Sequence, residues 1–167
     1  MKKFFYILSL FAVCACTNKP ANNGSSENAT SEFSQTATDN CSEYMENLAN
    51  GFAKAVMSGD LQKAMTYLDP NYVREQHDGF LEGRTNQFFL ELLAGTIIGE
   101  DGSENFYVPS SLNEITSIDV SSTNCTETPS ATFLIKLKDG RSFYLTIDTE
   151  EANTAEGVRP MFVGAVG

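Results

Sequence analysis

Basic side chains are scarce in this sequence. Its 167 residues include 11 Lys and Arg against 22 Asp and Glu, which gives a formal net charge of −11 at pH 7. A surface with this excess of acid repels phosphates, because a nucleic-acid site depends on clustered Lys and Arg side chains. The composition therefore argues against DNA or RNA as a partner.

Histidine and cysteine, the residue types of zinc sites and of many catalytic sites, are also scarce. The chain has one histidine, His77, and four cysteines, and the cysteines do not form the paired motifs of zinc sites. It has no glycine-rich phosphate loop and no nucleophile elbow. We therefore predict neither a metal nor a cofactor, and the sequence assigns no catalytic residue.

The first fifteen residues have the pattern of an export signal. Lys2 and Lys3 precede an apolar run of about a dozen residues, which is shorter than the roughly 20 that span a bilayer. Residues 11–16 resemble a bacterial lipobox, in which small residues precede a cysteine that is acylated and becomes the new N-terminus. Because the small Ala15 stands directly before it, we predict acylation at Cys16. The alternative is an ordinary secretory signal with accidental cysteines.

Residues 16–40 are predicted to be a lipidated, flexible tether. They are rich in Asn, Ser and Thr and include one aromatic residue, Phe33, so they cannot bury enough surface to offset the entropy of ordering. Thr17, in place of Asp after the acylated cysteine, favours the outer membrane of a Gram-negative bacterium by resemblance to other lipoproteins. We therefore expect a protein of the cell envelope, attached to a membrane through its N-terminal lipid.

Two cysteines remain for the folded part of the chain. Cys14 is lost with the signal and Cys16 carries lipid, which leaves Cys41 and Cys125 in an oxidising compartment. An even remainder of two predicts one disulfide, which would join the start of the first helix to a loop of the later sheet. The alternative is two free, buried thiols.

Residues 42–95 contain the longest unbroken helical pattern in the chain. Six apolar residues recur at the spacing of one helix face, namely Met45, Leu48, Ala49, Phe52, Ala53 and Val56. Such a stripe predicts a long amphipathic helix whose apolar face enters the core. With 41% hydrophobic residues, the chain can build one ordinary domain around it.

Shorter helices are predicted from their start and stop signals. Asp60 and Asp69 are each placed to accept hydrogen bonds from the free backbone amides of a following helix. The helix after Asp69 should lie near 71–78. A fourth helix is predicted to begin with Thr85 as its cap and to end at Gly95.

The second half of the chain has the alternation of β-strands. A short strand is predicted at 96–99, and further strands, most of them with alternating apolar residues, are predicted near 118–120, 131–137, 143–147 and 158–166. Helices followed by an antiparallel meander give an α+β domain with the helices segregated on one sheet face.

The turn between the two middle strands follows from register. A two-residue loop at Asp139 and Gly140 would scatter apolar residues over both sheet faces. A three-residue loop, with Gly140 in the left-handed region, instead places Ile135 opposite Phe143 on one face. We therefore predict the three-residue loop.

Three segments carry a resemblance to a known family. Residues 59–70, 115–120 and 137–141 together look like a small bacterial lipoprotein domain of the nuclear transport factor 2-like, cystatin-like type, covering residues 41–167. The resemblance implies a curved antiparallel sheet wrapped around N-terminal helices, with a conical pocket inside. This superfamily includes isomerases, dehydratases and members with no known chemistry. The chain departs from its pattern in having no tryptophan on the last strand.

One group of side chains is a candidate ligand pocket. It comprises Tyr72, His77, Phe80, Arg84 and Phe88, which could supply an apolar wall and a few polar groups. The competing interpretation of His77 is a solvated polar face, because Glu75 and Asp78 would point away from it on an α-helix. Tyr144 and Asp148 are the nearest analogues of a catalytic pair, but the predicted register places them on the face opposite the core.

We therefore expect a non-catalytic, lipid-anchored protein that binds a small ligand or an envelope protein through its pocket or its second sheet face. The alternative is a small isomerase or dehydratase of the same fold. A third prediction, a homodimer formed through the sheets, follows from the same exposed face.

Overall fold

A long helix, α1 (Ala29–Met57), forms one side of the core. The computed structural model describes residues 29–99, 101–126, 128–155 and 157–166. Every residue of the predicted apolar stripe on α1 is buried. The helix begins at Ala29, inside the segment predicted to be a tether, because each residue added to an existing helix gains one hydrogen bond without a new nucleation cost. The predicted signal peptide and Cys16 lie outside the described residues.

Shorter helical elements follow α1. They are α2 (Leu61–Met65), α3 (Pro70–Tyr72), a π-helical turn (Val73–Asp78) and α4 (Thr85–Leu92). Both predicted acidic caps are confirmed. Asp60 accepts a 3.0 Å hydrogen bond from the backbone amide of Lys63, and Asp69 accepts bonds of 2.7 and 3.0 Å from those of Asn71 and Tyr72. Each carboxylate satisfies amides that have no partner within the helix.

The predicted boundaries of α4 are wrong at both ends. Thr85 is its first helical residue, and the residue at the cap position, Arg84, offers no side-chain hydrogen bond. The helix ends at Leu92, and Gly95 is the first residue of a strand. Gly95 is therefore not a helix terminator, and it lies instead against the ring of Phe143.

The strands form two antiparallel sheets. They are β1 (Gly95–Ile98), β2 (Glu104–Tyr107), β3 (Ile115–Asn124), β4 (Ser130–Leu137), β5 (Ser142–Thr154) and β6 (Gly157–Val166). β1 and β2 pair as a ribbon, and β3 to β6 pair in chain order as a four-stranded meander. The predicted α+β arrangement with an antiparallel meander is confirmed. β2 was not predicted, because its residues show no apolar alternation.

The predicted β4–β5 hairpin is confirmed in register and in turn. Ile135 pairs with Phe143, and Phe133 pairs with Leu145. Gly140 has a φ of +89°, in the region that favours glycine, and its amide donates to the carbonyl of Leu137. The apolar residues of both strands consequently share the buried face.

Aromatic rings fill the space between α1 and the meander. α1 lies against β3 and β4, and the ring of Phe52 packs 5.9 Å from that of Phe133 and 5.5 Å from that of Phe162. These side chains are fully buried. The disulfide between Cys41 and Cys125 is also present, as predicted, and joins α1 to the chain just after β3 with a Cα–Cα distance of 6.1 Å.

Candidate functional site

The structure brings together three of the five predicted pocket residues. The Phe88 ring lies 6.0 Å from that of Tyr72 and 5.5 Å from that of His77. Phe80 is 72% exposed, and Arg84 is also exposed and donates a 3.0 Å hydrogen bond to the carbonyl of Phe80. Tyr72, His77 and Phe88 thus form a packed cluster, whereas Phe80 and Arg84 lie on the surface.

His77 is held by hydrogen bonds on both sides of its ring. Nδ1 lies 2.7 Å from a carboxylate oxygen of Asp78, and Nε2 lies 3.0 Å from the hydroxyl of Thr85. The side chain of His77 is only 13% exposed. The prediction of a solvated face with Asp78 pointing away was therefore wrong. It assumed α-helical spacing, whereas residues 73–78 form a π-helical turn with a different angular spacing of side chains.

These contacts define what His77 can do chemically. A carboxylate only accepts hydrogen bonds, so in the neutral ring Nδ1 donates to Asp78 and Nε2 accepts from the Thr85 hydroxyl. A hydroxyl, a base and a group that orients the base are the parts of an activated nucleophile. The same bonds also tie the π-helical turn to the first residue of α4, where no side-chain cap is present. Asp78 is 62% exposed, so water competes for its carboxylate.

Tyr72, another member of this cluster, remains protonated. Burial raises the pKa of its phenol, and the negative charge of Glu91 raises it further. Both effects disfavour the phenolate, so Tyr72 acts as a neutral hydrogen-bonding group at neutral pH.

A cavity of the size of a small-molecule site lies elsewhere, between the end of α1, α4 and the start of β3. Its volume is about 490 Å³, within the range of roughly 300 to 1,000 Å³ that is common for small-molecule sites. We call it the α1/α4 cleft. Its lining residues are Val56, Met57, Gly59, Leu61, Asn86, Leu90, Ser110, Ser111, Leu112, Asn113, Ile115 and Lys138. Its lining thus combines aliphatic side chains and polar groups in similar measure.

Local interactions bring these separate segments together. Ser111 caps a short 3₁₀ turn (Leu112–Glu114) by accepting from the amide of Asn113 at 3.2 Å. The amide of Lys138, at the β4–β5 turn, donates a 2.8 Å bond to the carbonyl of Glu114. The hairpin tip is thereby fixed beside the 3₁₀ turn, which places Lys138 at the cleft.

Among the described residues that line the α1/α4 cleft, Lys138 is the charged one. Two neighbouring residues, Asp139 next along the chain and Glu114, whose carbonyl accepts from the Lys138 amide, have carboxylates that already have partners. Asp139 accepts from the Arg141 guanidinium at 2.7 Å, and Glu114 accepts from the amide of Ser110 at 3.2 Å and from its hydroxyl. Within the described ranges, no carboxylate forms an ion pair with Lys138.

Two other clefts have different linings. One, of about 620 Å³, is lined by Thr126, Thr128, Pro129, Thr149, Glu150, Glu151 and Pro160. Another, of about 410 Å³, is lined by Tyr44, Asn47, Leu48, Thr66, Tyr67, Arg159 and Met161. None of these three clefts is lined by the predicted pocket residues. In the described part of the chain, no group of three or more His, Cys, Asp or Glu residues is placed to hold a metal ion.

The outer face of the meander is mostly polar. Lys136 forms a 2.9 Å ion pair with Asp119, and the hydroxyls of Thr132 and Thr146 are 3.1 Å apart. Tyr144, which is 63% exposed, is on this face, opposite the buried side chains of β5, as its register predicts. This face is the surface for which we predicted a partner or a second copy.

Comparison with protein-family models, curated proteins and solved structures finds no match to this chain. Among the helices of the described residues, none has the length and apolar character needed to cross a bilayer.

Proposed function

We propose that this chain is a lipid-anchored protein of the cell envelope that binds a small ligand in the α1/α4 cleft and catalyses no reaction. The observation that carries the proposal is the cleft itself, a concave site of about 490 Å³ whose lining is shared between aliphatic side chains and the polar groups of Asn86, Ser110, Ser111, Asn113 and Lys138. Binding needs only such a concave wall and a few convergent polar groups.

The proposal includes a location and a fold family. The export signal and the lipobox at Cys16 support attachment to a membrane, and Thr17 supports the outer membrane of a Gram-negative bacterium by resemblance to other lipoproteins. The Cys41–Cys125 disulfide is consistent with an oxidising compartment. The helices and the antiparallel meander support the nuclear transport factor 2-like fold. An envelope protein or a second copy of the chain would dock on the outer sheet face near Tyr144.

Lipidation is tested by metabolic labelling with a fatty acid. The wild type should carry the label and fractionate with membranes, and Cys16→Ser should lose both properties. Cys14→Ser is the matched control, because it changes a cysteine of the same segment that is removed with the signal. Label that persists in Cys16→Ser would contradict the assignment.

Cleft binding is tested with N-phenyl-1-naphthylamine, a neutral apolar dye that fluoresces in apolar sites. Asn86→Trp should fill the cleft from an exposed position and abolish saturable dye binding. Gln87→Trp places the same side chain on the adjacent exposed position of α4, outside the lining, and should leave dye binding intact. Equal loss in both variants, or in neither, would refute the cleft as the site.

A second candidate function, a small isomerase or dehydratase, is favoured by one observation. His77 is oriented by Asp78 and Thr85 within hydrogen-bond distance, which are the contacts that a positioned general base requires. Turnover of a screened ketone or hydroxy compound that disappears in His77→Ala but persists in Asn86→Trp would establish this reading. If ligand binding survives in His77→Ala and no turnover is found, the binding function stands.

A further inference from the structure

We infer that the hydroxyl of Thr85 is a covalent acyl-acceptor site, at which a carboxylic ester transfers its acyl group to the protein. The site lies outside the α1/α4 cleft, whose lining does not include Thr85. It takes up one acyl group per chain without turnover, so it is a property of the protein beyond ligand binding. Thr85, His77 and Asp78 together have the geometry that this reaction requires.

The three polar side chains form one continuous hydrogen-bonded relay. Nδ1 of His77 lies 2.7 Å from a carboxylate oxygen of Asp78, and Nε2 lies 3.0 Å from the hydroxyl of Thr85. A carboxylate only accepts hydrogen bonds, so it keeps the proton of the neutral ring on Nδ1 and leaves the lone pair of Nε2 directed at the hydroxyl. Nε2 is therefore placed to take the hydroxyl proton while the oxygen attacks an electrophile, which is how a weakly nucleophilic hydroxyl is activated.

The His77 ring is fixed by packing as well as by hydrogen bonds. The buried ring of Phe88 meets it edge to face, with 5.5 Å between the ring centres. The side chain of His77 is only 13% exposed, and Thr85 is partly exposed. The base is thus packed against the protein, and the residue that it activates lies where an ester can approach from solvent.

The position of Thr85 in its helix supports the same reaction. Thr85 is the first residue of α4, and no side chain caps this helix. The first amides of an α-helix have no acceptor within it, and the amide of Asn86, directly after Thr85, is one of them. Negative charge develops on the carbonyl oxygen of an ester under attack, and a helix N-terminus stabilises such charge.

The charge around Thr85 selects the class of donor. In residues 73–85 the acidic side chains outnumber the basic ones, with Glu75, Asp78 and Glu82 against Arg74 and Arg84. The whole chain carries a net charge of −11. This field repels an anionic phosphoryl donor and does not repel an uncharged one. The donor class is therefore a neutral carboxylic ester.

Each transfer needs only the ester as co-reactant. Oγ1 of Thr85 forms a bond to the ester carbonyl carbon as its proton passes to Nε2 of His77. The bond from that carbon to the alkoxy oxygen then breaks, and His77 gives its proton to the departing oxygen. The products are an ester on Thr85 and a free alcohol, and His77 is neutral again.

The test uses a biotin-tagged fluorophosphonate, a neutral reagent that attaches to activated hydroxyl groups with loss of fluoride. The full chain should take up the tag, and mass spectrometry of its peptides should locate the tag on Thr85. Thr85→Ser keeps the hydroxyl and should retain the reaction, whereas Thr85→Val keeps the side-chain shape without the hydroxyl and should abolish it. No tag on the wild type, a tag on His77 or on a tyrosine, or labelling that persists in Thr85→Val would each overturn the inference.

Two further variants separate activation from exposure. Thr66 is also exposed, but its hydroxyl donates to a backbone carbonyl, that of Lys63, at 2.7 Å. Thr66→Val should therefore leave labelling unchanged. His77→Ala should slow labelling by about 100-fold or more, the usual contribution of a general base, and an unchanged rate would count against activation of Thr85. Thermal unfolding shows whether each variant is folded during labelling, and if His77→Ala is not, the comparison of Thr85→Ser with Thr85→Val still decides.

The donor class is tested with p-nitrophenyl acetate and p-nitrophenyl phosphate. The acetate should release about one equivalent of p-nitrophenol per chain in a burst and leave an acetyl group on Thr85, because one hydroxyl per chain is activated. The phosphate should do neither. Transfer from the phosphate, or no acetyl group on Thr85, would overturn the assignment as an acyl acceptor. Acylation is measured on Thr85 and dye binding in the α1/α4 cleft, so either property can fail without the other.

Discussion

Gly95 lies directly against the ring of Phe143. A Cβ atom added to Gly95 would stand 2.5 Å from Cδ2 of that ring, which is closer than side-chain atoms can approach. Phe143 belongs to β5 and is almost fully buried, whereas Gly95 begins β1. The ribbon of β1 and β2 can therefore approach the meander because residue 95 has no side chain.

Gly95→Ala should destabilise the protein by about 1–3 kcal/mol, the usual cost of forcing an extra methyl group into a packed core. Urea denaturation measures the change in the free energy of unfolding. Phe143→Leu should relieve part of the clash between the added methyl group and the ring. The double variant Gly95→Ala, Phe143→Leu should therefore be more stable than the sum of the two single effects predicts, by about 0.5 kcal/mol or more. Additive effects would mean that the two residues do not conflict.

The same pair of residues shows why part of the fold could not be predicted. Gly95 follows an apolar helical run, where a glycine is typical of a helix end, and nothing in the local sequence indicates the ring of Phe143. The β4–β5 hairpin was predictable for the opposite reason. Its alternation and its Gly140 turn are close together in the chain and specify one register without information from elsewhere.

The candidate sites likewise include features that the sequence predicted and features that it did not. Tyr72 and Phe88, which the sequence analysis grouped as apolar wall residues, have their rings 6.0 Å apart. The position of His77 depends on a π-helical turn that no residue pattern indicated. The α1/α4 cleft combines α1, α4, the 3₁₀ turn and Lys138, and a site assembled from such distant segments has no sequence motif.

Gly140→Val should destabilise the protein by about 1 kcal/mol or more. At a φ of +89°, a β-branched side chain is strained, whereas glycine is not. Gly140→Asn is the matched control, because asparagine tolerates positive φ better than other side chains, and it should cost less. Thermal unfolding of the two variants measures the difference. Equal destabilisation by the two substitutions would indicate that the added side chain, and not the strain of the backbone at positive φ, causes the effect.

The Cys41–Cys125 disulfide should be complete in the exported protein. Alkylation of the denatured, unreduced protein should not label these two cysteines, and reduction should allow both to be labelled, as measured by mass spectrometry. Their separation of 84 residues predicts a loss of about 4 kcal/mol in the free energy of unfolding on reduction, by the chain-entropy model. Labelling of both thiols before reduction would contradict the bond.

Glu114 should contribute to the pH dependence of stability. Its hydrogen bond from the Ser110 side chain, followed by that from Tyr107, lowers the pKa of the Glu114 carboxyl in the folded state. The unfolded chain therefore binds a proton at higher pH than the folded protein does. The stabilisation by Glu114 is fully present above its unfolded-state pKa, near 4.3, and is lost as the pH falls through the lower folded-state value.

Glu114→Gln tests this expectation directly. Denaturant unfolding should find the wild type more stable than the variant at pH 7, and the difference should shrink as the pH falls below about 4.3. Other carboxyls with lowered pKa values, such as those of Asp119 and Asp139, destabilise both proteins in acid and cancel in the comparison. Ser110→Ala removes the largest cause of the shift and should move the loss of stability to higher pH. A difference between wild type and Glu114→Gln that stays constant from pH 7 to pH 3 would show that these hydrogen bonds do not favour the ionised carboxyl.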